Sequence, residues 1–228
     1  MLPILHIKAK TIHMQKPMVL ADGTIKRLAT IQNKFNEGLI TKEAISRKTA
    51  YKNTNIKTGE SFFDDSDMNS DYYLVVVYDQ CLNIPLLTAR YYYDKAAIAK
   101  CLRGDDSAST INPLEIQKLI ESKLFLSDRL SGNVNSPVYR KYRHYIFLLF
   151  YLEMLIYNRD SQCILMARKE KYDKLMKKYV QIGLNIIGSN THKGKEHWIL
   201  LGKVKICEAQ LKLPPAIKAL LIYKNFKK

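Results

Sequence analysis

The alternation of hydrophobic and polar positions is clearest in the middle of the chain. Two runs of β-branched and aromatic residues, Tyr72–Tyr78 and Ile84–Tyr93, are separated by five residues, which predicts an antiparallel β-hairpin. The chain also begins with a strand-like run that includes Ile7. Four more short apolar runs predict strands around Lys123–Leu130, Ser161–Ala167, Leu184–Ser189 and His197–Val204.

In most of the chain between these strands, apolar residues recur at helical spacing. The predicted helices are Ile25–Tyr51 (divided at Gly38), Asp94–Arg103, Leu114–Ser122, Pro137 to about Tyr157, and Glu170–Ile182. Ser136 and Pro137 are typical of a helix start, and Gly183 is typical of a left-handed helix end. The polar stretch Lys52–Asp71 is interpreted as a solvated loop, with a substrate lid as the alternative.

The alternation of strands and helices in the second half predicts an α/β fold with a mixed sheet and helices on both faces. A length of 228 residues fits one large domain. We expect residues 1–228 to form a single domain, with an N-terminal helical part and mobile loop at 1–71. The core then covers 72–204, and a basic C-terminal helix covers 205–228.

Composition and charge narrow the possible functions. A hydrophobic content of 47% excludes wholesale disorder, and the net charge of +16 predicts attraction to polyanions. The charge is concentrated after residue 130, where 19 basic and 6 acidic side chains lie. The most apolar stretch, Tyr145–Tyr157, has 13 residues and contains Glu153, so it predicts a buried helix rather than a membrane span. We therefore expect a cytoplasmic protein, with peripheral contact at the inner membrane face as an option.

Motifs for metal, nucleotide or serine-hydrolase chemistry are not found. The four cysteines form no CxxC pair, which gives no local zinc site or thioredoxin motif, and we expect reduced thiols. His192 and His197 flank a turn and are interpreted as surface residues, so no metal site is predicted. The sequence has no G-x-S-x-G elbow and no Walker loop.

Three stretches carry a family resemblance. They are the hairpin VVVYDQCLNIPLLTARYYY with Arg90, the strand LFLSDRLSG with Arg129, and the element KKYVQIGLNIIG with Tyr179 and Gly183. In this order they resemble the GCN5-related N-acetyltransferase (GNAT) superfamily over Tyr72–Val204, and within it the long-chain N-acyl amino acid synthases and acyl-homoserine lactone synthases. The resemblance implies a largely antiparallel central sheet. It also implies an N-acyltransferase that moves a fatty acyl group from a thioester to the amine of an amino acid or similar small acceptor.

The turn that holds coenzyme A pyrophosphate in most members of this superfamily is altered. Arg143 and Tyr145 stand where the glycines of that turn are expected. Four cationic or protonatable side chains remain there at the start of a helix, Arg140, Lys141, Arg143 and His144, and they are the predicted acyl-donor site. This change favours acyl-phosphopantetheine on an acidic acyl carrier protein over acyl-CoA as co-substrate. No tightly bound cofactor is expected.

Roles in acyl transfer follow from the same resemblance. Tyr179 is the candidate general acid for the leaving thiolate, with a packed tyrosine under the sheet as the alternative. Asp128 is the candidate base for the amine, with an ion pair to Arg129 or a lysine as the alternative, and Glu121 is a weaker candidate base or a solvated helix end.

The acceptor site is predicted at two strand arginines. Arg90 and Arg129 could bind the carboxylate of an amino-acid acceptor, or they could tie strand ends to acidic loops. Leu126 occupies the position of a glutamate in the lactone synthases, which favours simple N-acylation over lactone formation.

Two other functions are considered. The segment YRKYRHY interleaves cations with aromatics, as a nucleic-acid-binding face would, but it continues into an apolar run that must be buried. Leu213–Lys228 could form a basic amphipathic helix on an anionic membrane, but its few apolar residues favour packing on the body or covering an acyl channel. We therefore expect an acyl carrier protein and a small amine as partners, and no nucleic acid.

Overall fold

The computed structural model describes residues 6–14, 18–19, 25–26, 71–105, 108–158, 160–171, 176, 179–180, 182–192 and 194–203. The strands are β1 (Ile7–Met14), β2 (Met18–Val19), β3 (Ile25–Lys26), β4 (Tyr72–Asp79), β5 (Ile84–Tyr92), β6 (Leu124–Gly132), β7 (Gln162–Arg168), β8 (Asn185–His192) and β9 (Lys195–Gly202). The helices are α1 (Lys95–Arg103), α2 (Pro113–Glu121) and α3 (Pro137–Tyr157), and Lys169–Lys171 forms one 3-10 turn.

Seven strands form the central sheet in the order β1-β4-β5-β6-β7-β9-β8, and β2 pairs separately with β3. All neighbours in the central sheet are antiparallel except β6 and β7, which run parallel. A parallel pair needs a crossover connection, and α3 provides it. The predicted mixed, largely antiparallel sheet is therefore confirmed.

The β4–β5 hairpin forms as its alternation predicts, because both strands are rich in β-branched and aromatic residues. The side chain of Asp79 closes the turn by accepting hydrogen bonds from the backbone N–H groups of Cys81 and Leu82, at 3.0 and 3.2 Å. Asn83 adopts a φ of 49°, a left-handed conformation that asparagine tolerates better than most residues.

Each helix begins at a residue whose side chain caps it. Asp94 accepts from the backbone N–H of Ala97, Asn112 from that of Leu114, and Ser136 from that of Tyr139. These caps lie where the sequence places the helix starts. Gly183 has a φ of 93°, which fits its predicted place at a helix end.

The helices cover opposite faces of the sheet, as predicted. One face packs against α3, which lies over β1, β4 and β5, and its core includes Val75, Tyr91, Phe125, Ile146 and Phe150. The other face is covered by α1 and α2, and its core includes Leu74, Tyr92, Leu102, Ile116 and Ile164. Each fully buried apolar side chain of this size contributes about 1.5–3 kcal/mol by its removal from water.

Helix α3 is interrupted near its start and buries a carboxylate near its end. Tyr142 has a non-helical backbone (φ −113°, ψ 23°), which separates the first helical turn from the rest of the helix. Glu153 is buried, and the hydroxyl of Thr11 on β1 donates a hydrogen bond to it at 3.1 Å. None of the helices in the described ranges has the length and hydropathy needed to cross a bilayer.

The N-terminal part of the chain differs from the sequence prediction where it is described. Ile25 and Lys26 lie in a short strand paired with β2, and not in the predicted helix, because backbone pairing with Met18 and Val19 outweighs local helical spacing. The rest of the predicted helix, the polar stretch 52–70 and the C-terminal helix lie outside the described residues. β1, which precedes the predicted core, is an edge strand of the central sheet.

A stability prediction arises at the end of β6. A Cβ atom on Gly132 would lie 2.3 Å from the hydroxyl oxygen and 2.6 Å from Cζ of Tyr139, whose ring is buried. We expect Gly132→Ala to lower the free energy of unfolding by about 1–3 kcal/mol, because the ring must shift in a packed core. Urea unfolding would measure the loss, and a second change, Tyr139→Leu, should recover part of it. An unfolding curve like that of the wild type would contradict this packing.

Candidate functional site

The parallel strands β6 and β7 separate partway along their length. They pair from Leu124 with Gln162 to Ser127 with Leu165, and the pairing ends there. Beyond this point β6 continues beside β5, and β7 continues beside β9. We call the space between Asp128–Gly132 and Met166–Arg168 the β6–β7 opening. It splits the sheet at its centre.

A β-bulge explains why the strands separate. Thr88 of β5 pairs with Ser131, and Arg90 pairs with Asp128, so Ala89 faces two residues of β6, at positions 129 and 130. A bulge bends its strand and increases its twist. Because this bulge begins two positions after the last residue paired with β7, it turns β6 away from β7 at that point.

Arg90 and Asp128 form an ion pair beside the bulge. The guanidinium Nε and Nη2 atoms donate to the two carboxylate oxygens at 3.0 and 2.9 Å. Arg90 is fully buried, and its guanidinium carbon lies 5.6 Å from the ring centres of both Tyr72 and Tyr92. The side chain of Asp128 remains 30% exposed. The arginine is therefore fixed inside the protein, while the carboxylate reaches the surface of the site.

The four predicted donor-binding side chains lie together at the start of α3, and all four are exposed. We call Arg140, Lys141, Arg143 and His144 the basic segment. The non-helical residue Tyr142 lies in its middle, and the Lys141 ammonium lies 5.4 Å from the ring centre of Tyr142. The helix N-terminus adds to the positive potential that these side chains create.

Three tyrosines in or near the candidate segments are buried in the core under α3. Tyr139 is 8% exposed, Tyr145 is 2% exposed, and both belong to the core under α3. Burial raises the pKa of Tyr139, and the nearby Arg143 guanidinium partly offsets that rise. Burial also raises the pKa of Tyr145, so both hydroxyls remain protonated at neutral pH. Tyr179 is 8% exposed and belongs to the same core.

The remaining candidates are more widely spread. Glu121 is exposed at the end of α2, where it accepts a hydrogen bond from Gln117 at 2.9 Å. It lies just before β6 begins, whereas the β6–β7 opening is in the second half of that strand. Arg129 lies in the bulge, and its side chain is outside the described part of the structure. His192, at the end of β8, has its Nδ1 atom within hydrogen-bond distance (3.1 Å) of Oδ1 of Asp105. Among the described residues no group of three side chains suited to a metal is present.

Cysteine chemistry is disfavoured in the core. Cys101 and Cys163 are buried, and burial raises the pKa of Cys101 to about 12 and that of Cys163 further. A thiol with such a pKa has almost no thiolate at neutral pH, so neither is suited to form an acyl-enzyme.

Sequence reasoning missed two features of this site. It did not pair Arg90 with Asp128, because a partner 38 positions away on another strand depends on register. It also did not single out Ser131, which is buried and faces the same side of the sheet as Asp128 because of the bulge. The polar residues after the apolar run of β6 were a signal for both.

Comparisons with known proteins agree on the architecture. No family model matches the sequence, and no curated protein matches it. Three solved structures are similar. The AHL synthase LasI has a TM-score of 0.50 at 12% identity, covering 86% of this chain and 89% of LasI. The CoA-dependent acyl-homoserine lactone synthase BjaI, in a structure with MTA, has a TM-score of 0.50 at 8% identity, covering 85% and 84%.

The third structure is FeeM, an N-acyl amino acid synthase from uncultured soil microbes, with a TM-score of 0.47 at 10% identity, covering 86% and 92%. At such identities a structural match establishes fold and not activity. The chain has the fold of the acyl-homoserine lactone synthases, and its predicted resemblance to the GNAT-type acyl synthases is confirmed at that level.

Proposed function

We propose that the protein is an N-acyltransferase that moves a fatty acyl group from a carrier thioester to the amine of a small acceptor. The observation that carries this proposal is the β6–β7 opening: β6 carries a partly exposed carboxylate there, and the helix that follows β6 begins with the basic segment beside Tyr139, which packs against Gly132 at the end of β6. We expect an extended thioester arm to enter where the pairing of the two strands ends, and the shared fold with two acyl-homoserine lactone synthases supports this use.

The reaction requires few protein groups. The amine nitrogen forms a bond to the thioester carbonyl carbon, the carbon–sulfur bond breaks, and one proton passes from the nitrogen to the departing thiolate. Asp128 is the proposed base for the amine, and Tyr179 is the proposed acid for the thiolate. Holding the two substrates together can supply about 7–11 kcal/mol of the barrier reduction, so positioning carries much of the rate.

The proposed donor is an acyl group on an acyl carrier protein, with acyl-CoA as the other candidate. The phosphopantetheine arm carries one phosphodiester, which suits separate cationic side chains. The positively charged C-terminal half would also steer an acidic carrier to this face. Arg140 and Arg143 are exposed and can reach such a partner.

A nucleic-acid function is less well supported. The segment YRKYRHY would need its aromatic rings on the surface to stack on bases. Tyr139 and Tyr145 are instead buried in the core under α3, which leaves Tyr142 as the one partly exposed tyrosine of the segment. The exposed side of the segment therefore suits phosphate contact better than base stacking.

The direct test is an assay of the purified full-length protein with palmitoyl acyl carrier protein, palmitoyl-CoA and a panel of amino acids and simple amines. We expect mass spectrometry to detect an N-acylated amine together with one equivalent of free thiol. Heat-denatured protein serves as the control. If no acceptor in the panel is acylated above that control with either donor, the proposal is wrong.

A further inference from the structure

The polar groups near the β6–β7 opening are divided between the two faces of the sheet. The cations of the basic segment belong to α3, on one face. Asp128 and Ser131 pair with Arg90 and Thr88 of β5. Ala89, which lies between those two residues, belongs to the core of the α3 face. Because neighbouring residues of a strand face opposite sides, both pairs face the side of α1 and α2. The groups suited to an anionic donor and those suited to accept hydrogen bonds from an ammonium group therefore lie on different faces.

The carboxylate on this face is held in one orientation. Arg90 is fully buried between two tyrosine rings, so it cannot reach a ligand that enters from solvent. Its Nε and Nη2 atoms use one lone pair on each oxygen of Asp128. A carboxylate offers about four acceptor positions, so Asp128 can still accept hydrogen bonds from a ligand at its exposed edge.

A second hydrogen-bond acceptor, on the protein, lies on the other side of the bulge from Asp128. The Ser131 hydroxyl oxygen is buried and has no hydrogen-bond partner among the described residues. A buried hydroxyl without a partner is costly, and such groups are uncommon in folded proteins. The bulge places Ser131 on the same face as Asp128, so a ligand on this face can satisfy both.

We propose that Asp128 and Ser131 bind the ammonium group of the acceptor, and that Arg90 is a positioning residue for Asp128 and does not bind an acceptor carboxylate. The inference rests on the proposed N-acyltransferase function and specifies the chemistry of its acceptor: a primary amine that enters in its cationic form from the α1–α2 face. The ammonium loses one proton to solvent by way of Asp128 before its nitrogen attacks, and the second proton passes to the departing thiolate. An ammonium group donates up to three hydrogen bonds, and those to a carboxylate are the stronger ones.

Binding of 3-methylbutylammonium chloride to the full-length protein, followed by NMR titration, tests this inference without catalysis. We expect Asp128→Asn to raise Kd about tenfold or more, because the charge of the acceptor loses its partner, and Ser131→Ala to raise it about threefold. Arg90→Lys keeps the positive charge but loses the bidentate hydrogen bonding to Asp128, so it should raise Kd. Its circular dichroism spectrum should stay like that of the wild type, which would show that the fold is retained. Ser127→Ala is the matched control, since Ser127 lies on the same strand and pairs with Tyr91 of the α3-face core.

The outcomes separate this inference from the proposed function. Unchanged Kd in both Asp128→Asn and Ser131→Ala, or an equal loss in Ser127→Ala, would overturn the inference even if acyl transfer is observed. In the acyl-transfer assay the same two variants should raise KM for the amine and leave KM for the donor within about twofold. If transfer is absent while the ammonium binds as expected, the failure lies in the proposed function.

Discussion

Replacing Arg90 by alanine is expected to lower the free energy of unfolding by about 3–5 kcal/mol, the largest single effect in this core. The change removes a fully buried guanidinium and leaves the Asp128 carboxylate without its partner. It also empties the space between the rings of Tyr72 and Tyr92. Urea unfolding followed by far-UV circular dichroism measures the loss.

The double variant Arg90→Met with Asp128→Leu is the control for this result. Removing both charges eliminates the unpaired carboxylate, so the double variant should be more stable than Arg90→Ala, as replacement of buried ion pairs by apolar residues often shows. A loss below about 1 kcal/mol for Arg90→Ala would mean that the ion pair is not formed as described.

Reversing two charges of the basic segment should have the largest effect on activity. We expect Arg140→Glu with Arg143→Glu to reduce kcat/KM for an acyl carrier protein donor about 100-fold at low salt, because attraction between carrier and enzyme becomes repulsion. The difference from the wild type should shrink as ionic strength rises. Since both side chains are exposed, the free energy of unfolding of the variant should stay within about 0.5 kcal/mol of the wild-type value.

Two controls localise this effect. Lys95→Glu with Lys118→Glu makes the same change in net charge at two exposed positions on α1 and α2, and it should alter kcat/KM much less. An acyl thioester of N-acetylcysteamine lacks both phosphate and carrier, so its kcat/KM should be unaffected by the reversal. An equal loss with this small thioester would show that the basic segment acts on the chemistry and not on donor binding.

Local signals in the sequence account for most of the fold. The β4–β5 hairpin, the α3 start at Ser136 and Pro137, and the left-handed Gly183 depend on neighbouring residues, so pattern and capping rules predict them. The exposed position of the basic segment is consistent with its predicted place at the start of a helix. The largely antiparallel character of the sheet, by contrast, follows from the resemblance and not from any local rule.

Contacts that depend on strand register could not be predicted from the sequence. The Arg90–Asp128 pair joins different strands, and the contact between Thr11 and Glu153 joins positions 142 apart. The pairing of Ile25 with Val19 replaces a helix that local spacing favours. In each case a contact between distant segments decides the outcome, and single-sequence periodicity carries no information about such contacts.

The bulge at positions 129 and 130 has a consequence for how this protein can vary. Deleting one of these two residues would restore regular two-residue alternation with the same pairs, so Ser131 would stay on the face of Asp128 and Gly132 would stay against the ring of Tyr139. Such a deletion would instead remove the bend and extra twist by which the bulge turns β6 away from β7. The opening therefore depends on chain length at positions 129 and 130 more than on their side chains, and homologous proteins should show substitutions here more often than deletions.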